Sequence, residues 1–249
     1  MKKIKLLHEV RAVKSKRELA GIIKAQRISE QVLKKTLEEL RTGVSEIEIA
    51  NFIKKSFIKL GAPILSFSPI VAFGKNSANI HHTSGKTKLK IGDTIMLDFG
   101  CTVNHYCSDM TRTFFWGKSS KWQEKVYLDV LHAMELAMSK IKRGEERASI
   151  IDKSARGFLN KKYGKNNFLH GLGHGVGTVI HEWPNLKPKS EDVLPAGCVM
   201  TIEPGLYFKT KKTMRGGVRI EDMILITKKG YTNLTKVQKD LKSAILSPK

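Results

Sequence analysis

The sequence predicts an α+β fold in which helices cover an antiparallel sheet and the chain is built from two similar halves. Three observations predict it. Two helical patterns precede a group of strand patterns, and the same order then recurs. The joints between the helices resemble one another, "LRTGVSEIEIA" against "IKRGEERASIID", a weak internal repeat roughly one hundred residues apart. No Pro/Gly/Ser-rich linker divides the chain, so residues 1–249 are expected to form one domain.

Each element has a local cause. From Lys16 to about Arg41, Ile22, Ile23, Ile28, Val32, Leu33, Leu37 and Leu40 recur at helical spacing. A second helix starts at the capping pair Ser45 and Glu48 and stops at Gly61. "ILSFSPIVAFG" reads as strand with a turn at Gly74. "GDTIMLDFG" and "HYCSDMTRTFFWG" read as two antiparallel strands joined by a short loop around Asn104. The pattern then restarts with "SSKWQEKVYLDVLHAMELAMSKIK", where Ser120 and Gln123 have capping-box spacing, and with a helix that ends at Gly164. "GCVMTIEPGLYF" and "GGVRIEDMILIT" are two further strands.

Charge and cysteine content narrow the function classes. The net charge is +22, from 45 Lys and Arg against 23 Asp and Glu, which raises nucleic acid or another acidic surface as a partner. The lysines are spread along the chain and form no block of five or six like charges, so a solvated lysine-rich surface is the favoured reading and a nucleic-acid partner is not expected. Cys101, Cys107 and Cys198 are odd in number and lack CxxC spacing, which fits a reducing compartment. "MKKIKLLHEVRAVK" has no apolar core of a secretory signal, and no run is long and apolar enough to span a bilayer. A cytoplasmic protein without a membrane partner is expected.

Five residues sit where an apolar strand or glycine loop should not hold them. Asp98 ends "TIMLD", and Asp109 opens the strand that follows, so both can share one face of a hairpin. Glu203 interrupts "VMTIEPGLY" and Glu221 interrupts "VRIEDMILI". His174 lies in "HGLGHGVG", where glycines let backbone pack closely around the ring. Singly, each has an ordinary reading: a strand-end turn, a solvent-facing carboxylate, a structural histidine. Jointly, four carboxylates converging in a core would repel and be costly to bury. A cation removes that cost, and an oxygen-rich set with one imidazole suits Mn, Co, Fe or Zn.

These residues carry a resemblance. "LDFGCTVNHYCSDMTRTF", "HGLGHGVG", "TIEPGLYF" and "RIED" resemble the pita-bread metallopeptidases of family M24, which include methionine aminopeptidases, aminopeptidase P and prolidase. The match runs from about Val10 through Leu241. The resemblance implies the pita-bread fold and two divalent metal ions. It implies that Asp98 chelates one ion while His174 and Glu203 bind the other, with Asp109 and Glu221 bridging the two. It further implies that a metal-bridging hydroxide attacks the peptide carbonyl and that Glu203 shuttles a proton to the leaving amine. His81 is implied as a contact to the substrate backbone near the scissile bond and His181 as a stabiliser of the tetrahedral intermediate. His170 matches a substrate-pocket histidine of the proline-specific branch. No role follows for His82 or His105, and Trp183 is equally a pocket wall or a core residue.

The branch is read from the same motifs. Methionine aminopeptidases place the last ligand in a Q-x-E-H context, whereas "RIED" and "EPGLY" resemble prolidase and aminopeptidase P. Arg219 matches an arginine that in this branch helps hold the site and the substrate end. The resemblance therefore implies a metallo-exopeptidase cleaving Xaa-Pro bonds in dipeptides or at peptide N-termini. Two alternatives stay open: a methionine aminopeptidase, and a non-catalytic binding module of the same fold. Prolidases and aminopeptidases P carry an additional N-terminal domain, and this chain is expected to lack it, which leaves proline strictness and oligomeric state open.

Overall fold

The computed structural model describes residues 2–142, 144–209 and 214–248. Helix α1 (Lys2–Ala12), which the sequence patterns did not announce, leads into α2 (Lys16–Glu39). At the start of α2 the Ser15 hydroxyl accepts from the Glu18 N–H and the Glu18 carboxylate accepts from the Ser15 N–H. This reciprocal pair satisfies two donors that the first helical turn otherwise leaves orphaned. Helix α3 (Glu46–Lys59) repeats the device with Ser45 and Glu48, and the chain leaves it through Gly61 at a φ of 77°, where glycine carries no Cβ penalty.

The first group of strands comprises β1 (Ile64–Leu65), β2 (Ile70–Phe73), β3 (Thr94–Asp98), β4 (Cys101–Val103), β5 (Tyr106–Cys107) and β6 (Thr111–Trp116). A 3-10 turn over Gly74–Ala78 follows β2. β3 lies antiparallel between β2 and β6, with Asp98 opposite Thr111. The expected loop around Asn104 is itself a small hairpin of β4 and β5, turned by Asn104 and His105 at φ values of 50° and 70°. Two successive left-handed residues are what a tight hairpin turn requires. In consequence Asp109 does not open a strand; it lies between β5 and β6.

The second half begins with α4 (Lys121–Met138), capped by Ser120 and Gln123 as the spacing predicts, and α5 (Ala148–Tyr163), which ends at Gly164. α5 lacks a side-chain cap because Arg147 stands where α3 has Ser45. Strands β7 (Gly173–Gly175), β8 (Glu182–Leu186), β9 (Val199–Ile202), β10 (Gly205–Lys209), β11 (Met214–Arg219), β12 (Asp222–Thr227) and β13 (Gly230–Asn233) follow. The short helix α6 (Leu241–Ala244) and strand β14 (Ile245–Leu246) return to the first half, where β14 runs parallel to β6.

The repeat seen in the joints is structural. Gly43 and Gly144 both adopt positive φ. Each is followed by an isolated antiparallel bridge, Ser45 to Lys88 in one half and Arg147 to Val193 in the other. Two sheets result: β14-β6-β3-β2 and β13-β12-β9-β7-β8, with β10-β11 as a separate ribbon and β1-β4-β5 as a small flap. Each main sheet has its own apolar core. One is built around Ile53, Phe57, Ile95, Phe99 and Trp116; the other around Val130, Met134, Ile151, Leu172 and Ile224. Phe57 is fully buried and meets Phe99 edge-on at 5.8 Å, so truncation to alanine there costs about 3–5 kcal/mol.

The two strands predicted over "GCVMTIEPGLYF" and "GGVRIEDMILIT" are four. Each prediction breaks at its glutamate: β9 ends before Glu203, and β11 and β12 are separated at Ile220 and Glu221. Pro204 has no N–H for a ladder, and here the chain passes from one sheet to the next. The Glu221 N–H instead donates to the Thr111 carbonyl at 3.1 Å, joining the second half to β6. No described helix is long and apolar enough to cross a membrane.

Candidate metal centre

The breaks in the sheets aim side chains into one cavity of about 340 Å³, lined by Asp98, Asp109, His174, Glu203 and Glu221 together with His81, His170, His181 and Arg219. All nine residues singled out from the sequence therefore share one wall system. Ligand atoms of Asp109, His174 and Glu221 lie within 4.8 Å of one another. His174 Nε2 is 3.5 Å from Asp109 Oδ2 and 3.4 Å from Glu203 Oε1.

Local sequence explains how each arrives. Glycine at 173 and 175 lets β7 lie against β9 and β8: a Cβ at Gly173 would sit 2.0 Å from the Thr201 carbonyl oxygen, and one at Gly175 would sit 2.4 Å from that of Trp183. The His174 Nδ1–H donates to the Gly175 carbonyl at 3.1 Å, which leaves the Nε2 lone pair facing the carboxylates. Burial, then the neighbouring His181, lowers the His174 pKa to about 4, so the ring is neutral. The two rings meet edge-on at 4.3 Å.

Lone pairs directed at carboxylate oxygens repel unless a cation stands between them. Other features of the site agree. Burial, and after it the Glu221 and Asp98 charges, drive the Asp109 pKa well up. Burial, then Glu203 and Asp98, do the same to Glu221. Burial pushes Glu203 up to about 7, against the opposing pull of Arg219. Asp98 Oδ1 is buried and has no hydrogen-bond partner among the described residues. An oxygen-rich donor set with one neutral imidazole, an orphaned carboxylate oxygen and mutually repelling acids fit a divalent cation site.

Residues that the sequence reading passed over brace this set. Thr111 donates its hydroxyl hydrogen to Glu221 Oε2 at 2.7 Å and accepts from Arg219 Nε at 3.0 Å. Thr201 Oγ1 donates to Glu203 Oε1 at 3.4 Å and accepts from the His174 N–H at 3.1 Å. Arg219 is 2% exposed; Nη2 binds Asp98 Oδ2 and Nη1 donates to Tyr207 Oη at 2.7 Å. Its guanidinium thus holds protein groups at the cavity floor. Tyr207 in turn donates to His170 Nε2 at 2.7 Å, because the His170 Nδ1–H is given to the Gly171 carbonyl. Burial, then Arg219, lowers His170 to about 3. For Thr111 the available signal was its alternation with Thr113, which places two small hydroxyls on one face of β6. Trp183 does not line this cavity; it lines a second one with Val13, Val193 and Pro195.

Asp222 points away, as the alternation along β12 requires. Arg112 Nη2 donates to its Oδ1 at 2.6 Å, and Asn233 and Lys239 donate to its Oδ2 at 2.6 and 2.5 Å.

Similarity to known proteins agrees with this geometry. Residues 20–228 match the model of metallopeptidase family M24. The chain is 38% identical over 237 residues to an Xaa-Pro dipeptidase from Pyrococcus furiosus, covering 95% of this chain and 66% of that protein. An X-Pro aminopeptidase from Thermotoga maritima superposes with a TM-score of 0.90 at 33% identity, over 98% of this chain and 66% of that one. An Xaa-Pro dipeptidase from Bacillus anthracis gives 0.89 at 35% identity, over 97% and 66%. This chain thus spans just under two thirds of the length of these relatives. The shared architecture is the pita-bread fold, two pseudo-symmetric halves with helices over curved antiparallel sheet. A cation-shaped cluster of acids drawn from both halves, on this fold and in this motif order, identifies the chain as a member of metallopeptidase family M24.

Proposed function

We propose that residues 1–249 form one catalytic unit that hydrolyses Xaa-Pro bonds, in dipeptides or at the N-termini of peptides and proteins. The observation that carries this reading is the convergence of Asp109, His174 and Glu221 within 4.8 Å, with Asp98 and Glu203 beside them in the same cavity. Asp98, Asp109, His174, Glu203 and Glu221 would hold two divalent ions, with Mn, Co, Zn and Fe all suited to the donor set. Bound there, the ions supply Lewis-acid polarisation of a carbonyl and a water acidic enough to attack at neutral pH.

The chain's own residues do the rest. Glu203 Oε1 stands 3.4 Å from His174 Nε2 in the cavity, where its carboxylate is able to take a proton from the attacking water and return it to the leaving amine. His81 and His181 stand in the cavity wall, where an imidazole N–H can donate to the substrate backbone and to the oxygen that becomes negative. His170 is neutral and fixed through Tyr207 to Arg219, which gives the pocket a rigid wall on that side. Arg219 holds the Asp98 carboxylate in place in the cavity wall. Three buried, unpaired thiols support a reducing, cytoplasmic setting.

The names of the relatives and the "RIED" context favour proline over methionine specificity. The test is turnover of Xaa-Pro against Met-Ala-Ser peptides by the Mn-supplied protein. Proline release is expected. Cleavage of Met-Ala-Ser with Xaa-Pro untouched would reassign the branch to methionine aminopeptidase. No stoichiometric metal and no turnover would favour a binding module.

A further inference from the structure

Outside the cluster, the most demanding polar group is Glu46, the first residue of α3. Its side chain is completely buried, and its charged form must therefore be satisfied by protein. All four of its described hydrogen bonds come from one stretch of chain, residues 73–85. Oε1 accepts from the Phe73 N–H and from Asn76 Nδ2, both at 2.8 Å. Oε2 accepts from His82 Nε2 at 2.8 Å and from the Gly85 N–H at 3.0 Å. The backbone adds to this: the Glu46 N–H donates to Thr87 O and the Ile47 N–H to Gly85 O.

Past the end of β2 at Phe73, the stretch that Glu46 gathers has one 3-10 turn and no strand, so its course there rests on side chains rather than on a ladder. It also carries Ile80 and His81 into the cavity wall. Among the described residues no hydrogen bond holds the His81 ring itself; the anchored residue is its neighbour His82. The second half solves the same problem with different chemistry. Asp152, in the first turns of α5, pairs with Arg156, which donates to the Phe168 and His170 carbonyls at 2.9 and 2.7 Å. In each half, then, the second helix uses a buried charge to hold the loop that delivers a pocket histidine.

We propose that Glu46 is the positioning residue for His81: it acts through the 73–85 loop and touches neither substrate nor metal. This rests on the peptidase reading for its kinetic consequence. A carboxylate that accepts four donors at once fixes a loop more tightly than a neutral amide, which has only one acceptor oxygen. A histidine displaced by about 1 Å from a reacting carbonyl slows chemistry by tenfold or more without preventing binding.

The experiment is a double-mutant cycle of Glu46→Gln with His81→Ala in the metal-loaded protein, with melting temperature and metal content measured for each variant. Glu46→Gln is expected to lower kcat about tenfold with little change in KM. In the His81→Ala background it should have no further effect. A role confined to fold stability would lower the melting temperature and multiply independently with His81→Ala, which overturns the proposal, as does unchanged kcat. A second readout needs no turnover: the His81 ring proton resonance, identified by its loss in His81→Ala, should shift or broaden in Glu46→Gln. If the wild-type protein fails to cleave Xaa-Pro peptides, the peptidase reading falls and this resonance alone decides on Glu46; an unmoved signal overturns it. Should Glu46→Gln not fold, Asn76→Ala removes one of the four donors and is judged by the same two criteria.

Discussion

Thr111 gives its single hydroxyl proton to Glu221 across the seam between the two halves, while the Glu221 N–H returns a bond to the Thr111 carbonyl. The pair locks Glu221, a proposed ligand, by side chain and backbone together. Thr111→Val keeps the shape of the residue and removes the hydroxyl. Loss of an orienting partner of this kind costs about 10–100-fold in metal affinity. Titration calorimetry with Mn²⁺ on the folded variant checks this; unchanged affinity would show that the backbone bond suffices.

Glu203→Gln is expected to abolish hydrolysis, by about 10²-fold or more, with the protein still folded. The amide removes both a ligand charge and the proton carrier. Circular dichroism alongside turnover of an Xaa-Pro peptide tests the assignment, which near-wild-type rates would refute.

Chelation should inactivate the protein, and Mn²⁺ or Co²⁺ should restore it. Because Asp109, Glu203 and Glu221 are all driven towards protonation when no cation is near, metal uptake should release protons. The melting temperature should also rise with metal, by the equivalent of about 2.7 kcal/mol at a hundredfold excess over Kd. Full turnover after exhaustive EDTA treatment would count against the mechanism.

Asp222→Asn tests the other face of β12. Although burial acts to raise it, Arg112 and then Lys239 hold the Asp222 pKa below the usual carboxylate value. Both it and Arg112 are essentially inaccessible to solvent. Breaking such a pair costs about 3–5 kcal/mol. Since the folded pKa is depressed, the contribution is fully present above the unfolded value of about 3.9 and is lost as pH falls through the lower folded value. Denaturant midpoints of wild type and variant should therefore differ most at neutral pH and converge below about pH 4. A constant difference across that range would mean that the charge is irrelevant.

How far the sequence could be read depended on how local each cause is. The Ser45–Glu48 and Ser120–Gln123 caps are written within four residues and appear where expected. Acids inside apolar runs marked the cluster for the same reason. The strand breaks at Glu203 and Glu221 were not legible, because alternation continues unchanged while the ladder passes to another sheet. Strands of two or three residues, such as β7 and β14, are too short for any period to show. Glu46 reads as an ordinary first-turn acid; its partners Phe73 to Gly85 become visible only when the loop folds back.

The proposed ligands are divided between the halves: Asp98 and Asp109 lie before the repeat restarts, His174, Glu203 and Glu221 after it. During synthesis, a chain extended only through α4 holds just two of the five proposed ligands, Asp98 and Asp109, and lacks His174. The complete cradle exists only once Glu221 has been made and its backbone has reached Thr111. On the proposed ligand set, a partly made chain therefore lacks the complete cluster, and cation uptake is expected to follow the folding of both halves.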